Sequence, residues 1–218
     1  MNIQTHLVTN IPVFKIGDSL KKVFQFFEKN SFSHIAVMEK EIFLGVLTEN
    51  DLQNFEIDKK IEDYRYNLES FFVRKESNWL DVLETFARNE ANLLPIVDEK
   101  EMVVGYYDLT SIISSFRDTP FLTEPGAFIV VAKGIKDYSF SEIAQIIESN
   151  NAKLIGGFIT DVRSDVIQIT VKINTHNLNE IIQTFRRYNY NILFGNNDDQ
   201  FLEDMKQRSD YLDKYLNV

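Results

Sequence analysis

GVLTENDL, from Gly45 to Leu52, decides the reading of this chain, because the segment that it closes occurs twice. Before it come a helix-patterned stretch, the apolar run His34, Ile35, Ala36, Val37, Met38, a short acidic turn and a second apolar run. Leu20, Val23, Phe27 and Asn30 recur as Trp79, Val82, Phe86 and Asn89, each 59 positions later. After the turn the offset becomes 60, since the stretch from Met38 to Gly45 is one residue shorter than that from Val97 to Gly105. A duplicated unit absorbs a one-residue difference at a hairpin easily. Each copy is too short to bury a large core alone, so the two are expected to pair and to share a functional cleft.

In the first copy Asp18 or Ser19 can cap a helix whose apolar positions Leu20, Val23, Phe24 and Phe27 fall at helical spacing. A strand over 35–38, a turn over 39–41, a returning strand over 42–47 and a helix from Glu49 follow. The second copy runs the same way, with Pro95 where the first has Ala36. From Glu124 the pattern changes: strands are expected at 127–132, 153–161, 166–173 and 190–194, with helices at 141–149 and 178–188. That order, βαββαβ, is a ferredoxin-like split arrangement with helices on one face of an antiparallel sheet. Its other face is expected to be buried by a second copy or a neighbouring module, which predicts a homodimer. The acidic tail has a helical stripe of Phe201, Leu202, Met205, Leu212 and Leu216.

Composition narrows the function. Hydrophobic residues make up 44% of the chain, enough for a real core, and 23 basic against 33 acidic residues leave a net charge of −10. Such a surface repels a phosphate backbone, so no nucleic-acid partner is expected. No apolar run approaches the roughly 20 residues that span a bilayer, and the first ten residues lack the pattern of a signal peptide, so the expected setting is cytoplasmic, with no membrane partner. Without cysteine there is neither disulfide nor thiolate chemistry. His6, His34 and His176 lie in separate segments with no metal-site spacing, and Glu49 with Asp51 reads as helix-start charge as readily as a divalent-ion site. No catalytic constellation emerges, no cofactor is required, and the chain is expected not to be an enzyme.

The repeated motif carries two readings. Gly45 admits close approach of backbone, Thr48 offers a hydroxyl beside helix amides, and Asp51 can accept hydrogen bonds from a vicinal diol, which together suit a ribose bearing a phosphate. Thr48 is equally suited to be only an N-cap, and Asp51 only a favourable charge in the first helical turn. The motif, its duplication and a strand of the PIVD type, at 95–98, resemble the CBS domain, present as the tandem pair called a Bateman module over roughly 11–117. The resemblance implies a pseudo-twofold pair of βαββα units, at 1–60 and 61–118, whose clefts often hold adenosine-containing ligands. It places Thr48 at the phosphate and Asp51 at the ribose hydroxyls. It implies that His34, Ile35 and Ala36, with the backbone near Pro12 and Val13, line the base pocket.

The second copy departs from the pattern. Gly105 is kept, but Asp108 stands where the hydroxyl residue belongs and Ser111 where the carboxylate belongs. Asp108 repels a phosphate, so one nucleotide site per pair is the most to expect. The first motif itself contains no Lys or Arg, leaving Lys15 or Arg74 as distant candidates, and this favours a weakly bound ligand or one with little phosphate.

The third unit, at 124–196, resembles an ACT-like domain in its order of elements, followed by an acidic helix at 197–218. Two CBS copies before an ACT-like unit resemble the accessory proteins named for acetoin utilisation. Asp137 and Tyr138 replace the Pro and Gly usual before the first ACT helix, and Gly156 with Gly157 marks a bulge or a close interface. The expected fold class is therefore α+β. Two functions stay open: a regulatory sensor of AMP, ADP, ATP or S-adenosylmethionine whose signal passes through 118–125 to the third unit or a partner enzyme, and a ligand-free oligomerisation module controlling a partner protein.

Overall fold

The computed structural model describes residues 3–194, so the helix expected at 197–218 lies outside the described residues. The chain divides into two units, Met1–Thr119 and Pro120–Val218.

The first unit contains both repeats. In the first, β1 (Phe14–Lys15), α1 (Leu20–Phe27), β2 (His34–Glu39), β3 (Ile42–Thr48) and α2 (Glu49–Leu52) build a three-stranded sheet in the order β1-β2-β3. In the second, β4 (Val73–Arg74), α3 (Trp79–Arg88), β5 (Leu93–Val97), β6 (Val103–Asp108) and α4 (Leu109–Arg117) build β4-β5-β6. Leu20, Val23 and Phe27 turn the buried face of α1 to the sheet. Ser19 sits at the N-cap without a side-chain bond, while Asp18 accepts from Lys15 N at 2.8 Å and Lys22 Nζ at 2.9 Å. The first hairpin turns on Lys40 and Glu41, both at positive φ (51° and 70°), as a two-residue primed turn requires. The longer second turn needs the left-handed region only at Glu101.

The two repeats exchange the segments that lead into them. Ile3 and Leu7 pack into the second core beside Val73, Val82 and Phe86, and Val8 trades backbone hydrogen bonds with Tyr106, both 2.9 Å. Reciprocally, Ile61, Tyr64 and Leu68 pack into the first core, and Glu69 trades bonds of 2.8 and 3.0 Å with Val46. A boundary at 60/61 thus groups 61–69 with the second repeat although their apolar side chains fill the first. The exchange accounts for both motif glycines. A Cβ on Gly45 would stand 2.7 Å from the Glu69 carbonyl oxygen. One on Gly105, at φ +154°, would stand 2.7 Å from that of Val8. Their lack of a side chain admits the exchanged leader, not a ligand.

A second seam joins β2 to β5. Asn92 Oδ1 accepts from Ser33 N at 2.8 Å, Asn92 N donates to Ser33 Oγ at 2.9 Å, and Asn92 Nδ2 donates to the Ser31 carbonyl at 2.7 Å. Ser33 and Asn92 occupy the same place in the two copies, 59 positions apart.

The second unit consists of α5 (Pro120–Thr123), β7 (Ala127–Gly134), α6 (Phe140–Ser149), β8 (Lys153–Arg163), β9 (Val166–Asn174), α7 (Leu178–Arg187) and β10 (Asn191–Phe194). Its antiparallel sheet runs β10-β7-β9-β8, the ferredoxin-like order, with α6 and α7 over a core of Ile129, Val131, Ile143, Ile169, Val171 and Phe185. The other face is partly covered by the chain itself. Phe121 of α5 lies 5.8 Å from the Phe128 ring and 5.9 Å from Phe158, and a Cβ on Gly156 would meet it at 2.8 Å. Gly156 therefore makes room for Phe121, at a register shift in β8. Lys172, only 3% exposed, donates Nζ to the Leu122 carbonyl at 3.3 Å and lies 5.2 Å from the Phe128 ring centroid, a cation at the end of α5.

Gly45→Ala is expected to cost about 1–3 kcal/mol, because the added methyl must push Glu69 backbone out of the sheet it completes. Urea unfolding reads the loss; an unchanged midpoint would show that the leader's contact with β3 contributes nothing.

Candidate functional site

Three residues expected at the first cleft come together. His34 opens β2 and Thr48 ends β3, and the antiparallel register sets them opposite each other, with Asp51 one turn further on. All three line a cavity of about 460 Å³, together with Glu49, Glu69, and Arg88 and Glu90 at the end of α3. Thr48 Oγ1 accepts from Asp51 N at 3.0 Å and donates to Asp51 Oδ2 at 2.7 Å, while Thr48 N donates to Oδ2 at 3.4 Å. This is a complete capping box. Asp51 Oδ1 accepts no hydrogen bond among the described residues, so the cap is made with one oxygen of this cavity-lining carboxylate left over.

The electrostatics disfavour a phosphate. Helix α2 is only four residues long and sums few peptide dipoles, so its start is a weak anion site, weaker than the motif suggested. Glu49, Asp51, Glu69 and Glu90 face one guanidinium, that of Arg88, which is itself paired with Glu84. His34 adds no charge: it is 6% exposed, and burial lowers its pKa against a smaller opposing pull from Asp51. Its Nδ1 lies 2.7 Å from Ser33 Oγ, and its ring meets Phe71 edge-on at 5.2 Å. Arg74 is committed elsewhere, to the Asp98 carbonyl, the Glu101 carboxylate and the Phe72 ring, and Lys15 is exposed on β1. Sequence reasoning missed Arg88; its signal was its place 59 positions after Lys29, at the helix end that pairing carries to the other copy's motif.

The expected base-lining residues are placed differently. Ile35 and Ala36 are fully buried, and Ile35 and Val13 pack in the first core. The Ala36 N–H and the Pro12 carbonyl are both taken by one side chain from the other repeat: Tyr106 Oη accepts from Ala36 N at 3.2 Å and donates to Pro12 O at 2.8 Å. Beyond them Pro12 opens on a separate cavity of about 430 Å³ bordered by Val8, Asn10, Phe26 and Phe32. Two backbone polar groups of the expected base pocket are therefore already bonded by protein, which the pattern of one motif could not disclose because their partner, Tyr106, lies 70 residues beyond Ala36.

In the second copy Asp108 N-caps α4, its Oδ1 accepting from Ser111 N at 3.0 Å and its Oδ2 from the Ser111 hydroxyl. This is the Thr48–Asp51 box with carboxylate and hydroxyl interchanged. Both polar groups of the second motif are turned on each other, and Pro95, opposite Tyr106 in the sheet, has no N–H to offer. Among the described residues no group of three or more His, Asp or Glu is placed to hold a metal ion, and no helix is long and apolar enough to cross a membrane.

A pair of βαββα repeats joined through exchanged leaders, with a capped strand-to-helix cleft, defines a paired α+β module followed by a ferredoxin-like unit. The CBS-domain family model matches residues 5–57, the first of these repeats. No curated protein matches the chain. Among solved structures, a CBS domain pair/ACT domain protein from Thermotoga maritima is 20% identical, covering 53% of this chain and 96% of its own, with a TM-score of 0.47. The CBS domains of a transcriptional regulator from Streptococcus pneumoniae are 16% identical over 52% of this chain and 98% of theirs, TM-score 0.47. CBSX2 in complex with AMP is 16% identical over 53% and 95%, TM-score 0.44.

A neutral buried His34 makes folding sensitive to acid. Above its ordinary pKa of 6.5 both states are uncharged there and nothing changes. Below it the unfolded chain binds a proton that the folded one resists, so stability falls as pH drops. The urea midpoint is expected to decline from pH 7 to pH 5, and to decline less in His34→Gln; equal declines would assign the sensitivity to other groups.

Proposed function

We propose that this chain is a non-catalytic regulatory module whose first cleft senses an adenosine-containing ligand. The convergence of His34, Thr48 and Asp51 on one 460 Å³ cavity carries the reading. Asp51 is the acceptor for ribose hydroxyls, with Oδ1 left over from the capping box and Oδ2 shared with Thr48. Four carboxylates against one paired guanidinium favour a ligand with little or no net negative charge. S-adenosylmethionine, which carries a sulfonium, therefore suits the cavity better than AMP, and AMP better than ADP or ATP. The second cleft, with Asp108 and Ser111 capping each other, takes no nucleotide. Ligand in the first cleft alters the fit of the two repeats, and a partner protein reads that change.

The alternative, a ligand-free module that assembles with itself or a partner enzyme, draws on one observation. Strand β8 is an edge strand of eleven residues exposing Phe158 and Val162, a surface on which a second copy would complete the sheet as a homodimer.

Calorimetric titration with S-adenosylmethionine, AMP and ATP separates the two. Saturable binding near one ligand per chain, strongest for S-adenosylmethionine and weakened at least tenfold in Asp51→Ala, is the expected outcome. Silence from all three ligands would replace the sensor with the assembly module, and ATP binding most tightly would overturn the charge preference.

A further inference from the structure

The hydroxyl of Tyr106 stands in a gap in the first sheet. The parallel ladder of β1 and β2 starts at Phe14 opposite Val37, so the Ala36 N–H and the Pro12 carbonyl lie just before its first rung. Tyr106 supplies that rung with one oxygen, accepting at 3.2 Å and donating at 2.8 Å. Burial pushes its hydroxyl pKa well above the ordinary value, so it remains a donor at any working pH. The arrangement exists once. The matching residue of the first repeat is Val46, which has no hydroxyl, and the match of Ala36 is Pro95, which has no N–H.

An acceptor and a donor side by side are complementary to an amine beside a ring nitrogen, the edge that an aminopurine presents. His34, which lines the cavity with Asp51, and Ala36 are two apart on β2 and share a face, so the pair of groups that Tyr106 holds lies one step inward of the cavity along the strand. We propose that Tyr106 is a built-in competitor for the base of the first cleft's ligand, holding the Pro12 carbonyl and Ala36 N–H until a ligand displaces it. This rests on the adenosine reading of that cleft. The competitor also links the cleft to the exchange of leaders, because the Tyr106 backbone is hydrogen-bonded in both directions to Val8. A ligand that expels the ring must shift β6 or its side chain, and with β6 the leader docked on it. Base occupancy and the seating of residues 3–8 are thereby coupled.

The test uses adenosine itself, which removes phosphate from the comparison. Affinities are measured by calorimetry for the full chain, for Tyr106→Val, which installs the first repeat's own residue, and for Tyr106→Val combined with Asp51→Ala. The single variant is expected to bind at least about tenfold more tightly than the unaltered protein, the scale of two hydrogen bonds no longer contested, and the double variant to lose the gain. Equal affinities in the unaltered protein and Tyr106→Val would overturn the competitor while leaving the cleft intact. A gain that survives Asp51→Ala would keep the competitor and sink the cleft reading, and a folded Tyr106→Val that binds nothing would end both. If Tyr106→Val does not fold, Tyr106→Phe takes its place. It keeps the ring and gives up only the hydrogen bonds, so a smaller tightening is expected, and none would overturn the proposal.

Discussion

The backbone contact between each repeat and the other's leader is the constraint on which the first unit depends. A three-stranded sheet led by a two-residue strand cannot close a core alone, and each sheet here gains a bridge, at Val46 to Glu69 and at Val8 to Tyr106, from chain belonging by sequence to the other repeat. Because the leaders also bring Ile3 and Leu7 to one core and Ile61 and Leu68 to the other, neither repeat has a complete interior without its partner. The glycines at 45 and 105 follow from this, since only a residue without Cβ lets the incoming carbonyl reach the sheet. The cleft is a by-product of the same closure: pairing sets the end of α3 opposite the turn from β3 into α2.

Exact symmetry would have given two equivalent clefts, and the side chains break it at a few positions. Tyr106 faces into the first core where Val46 is its counterpart, and Pro95 faces it in the sheet where Ala36 is its counterpart. A larger side chain on one side of a pseudo-twofold axis must take volume from the other side, and Tyr106 takes it from the first core, where its hydroxyl bonds the Ala36 N–H and the Pro12 carbonyl. The polar motifs diverge more gently. Thr48 with Asp51 and Asp108 with Ser111 build the same box in opposite senses, because a helix start needs an acceptor at the N-cap and is indifferent to whether a hydroxyl or a carboxylate supplies it.

Much of the architecture was legible because it is periodic. The 59-residue recurrence gave both repeats, and the alternation of apolar runs gave the βαββαβ order of the second unit, with strand and helix ends displaced by one or two residues. What escaped were contacts between segments distant in sequence. The exchange of leaders, Phe121 over Gly156, Arg88 at the cavity and Tyr106 against Pro12 and Ala36 all join segments well separated in sequence, where no local spacing records the pairing. Within the site, Thr48, Asp51 and His34 could be grouped because one hairpin and one turn bring them together. Gly45, Ile35 and Ala36 sat beside them in the motif but face the leader, the core and Tyr106.

On the proposed reading of the cleft as a sugar end at Asp51 and a base end at Ala36 and Pro12, the two ends differ in how firmly they are already occupied, and this orders what a ligand can do. At the sugar end the protein spends only part of its hydrogen-bonding capacity: the capping box engages Thr48 and one oxygen of Asp51, and a diol can add to the other without breaking it. At the base end a ligand gains two hydrogen bonds only by removing two that exist, along with a buried ring. Such an exchange contributes little net affinity. It contributes a change of shape, since the displaced group belongs to the other repeat. On that reading weak binding and strong conformational coupling are two aspects of one arrangement, and a module that reports a ligand, as opposed to storing it, would have use for both.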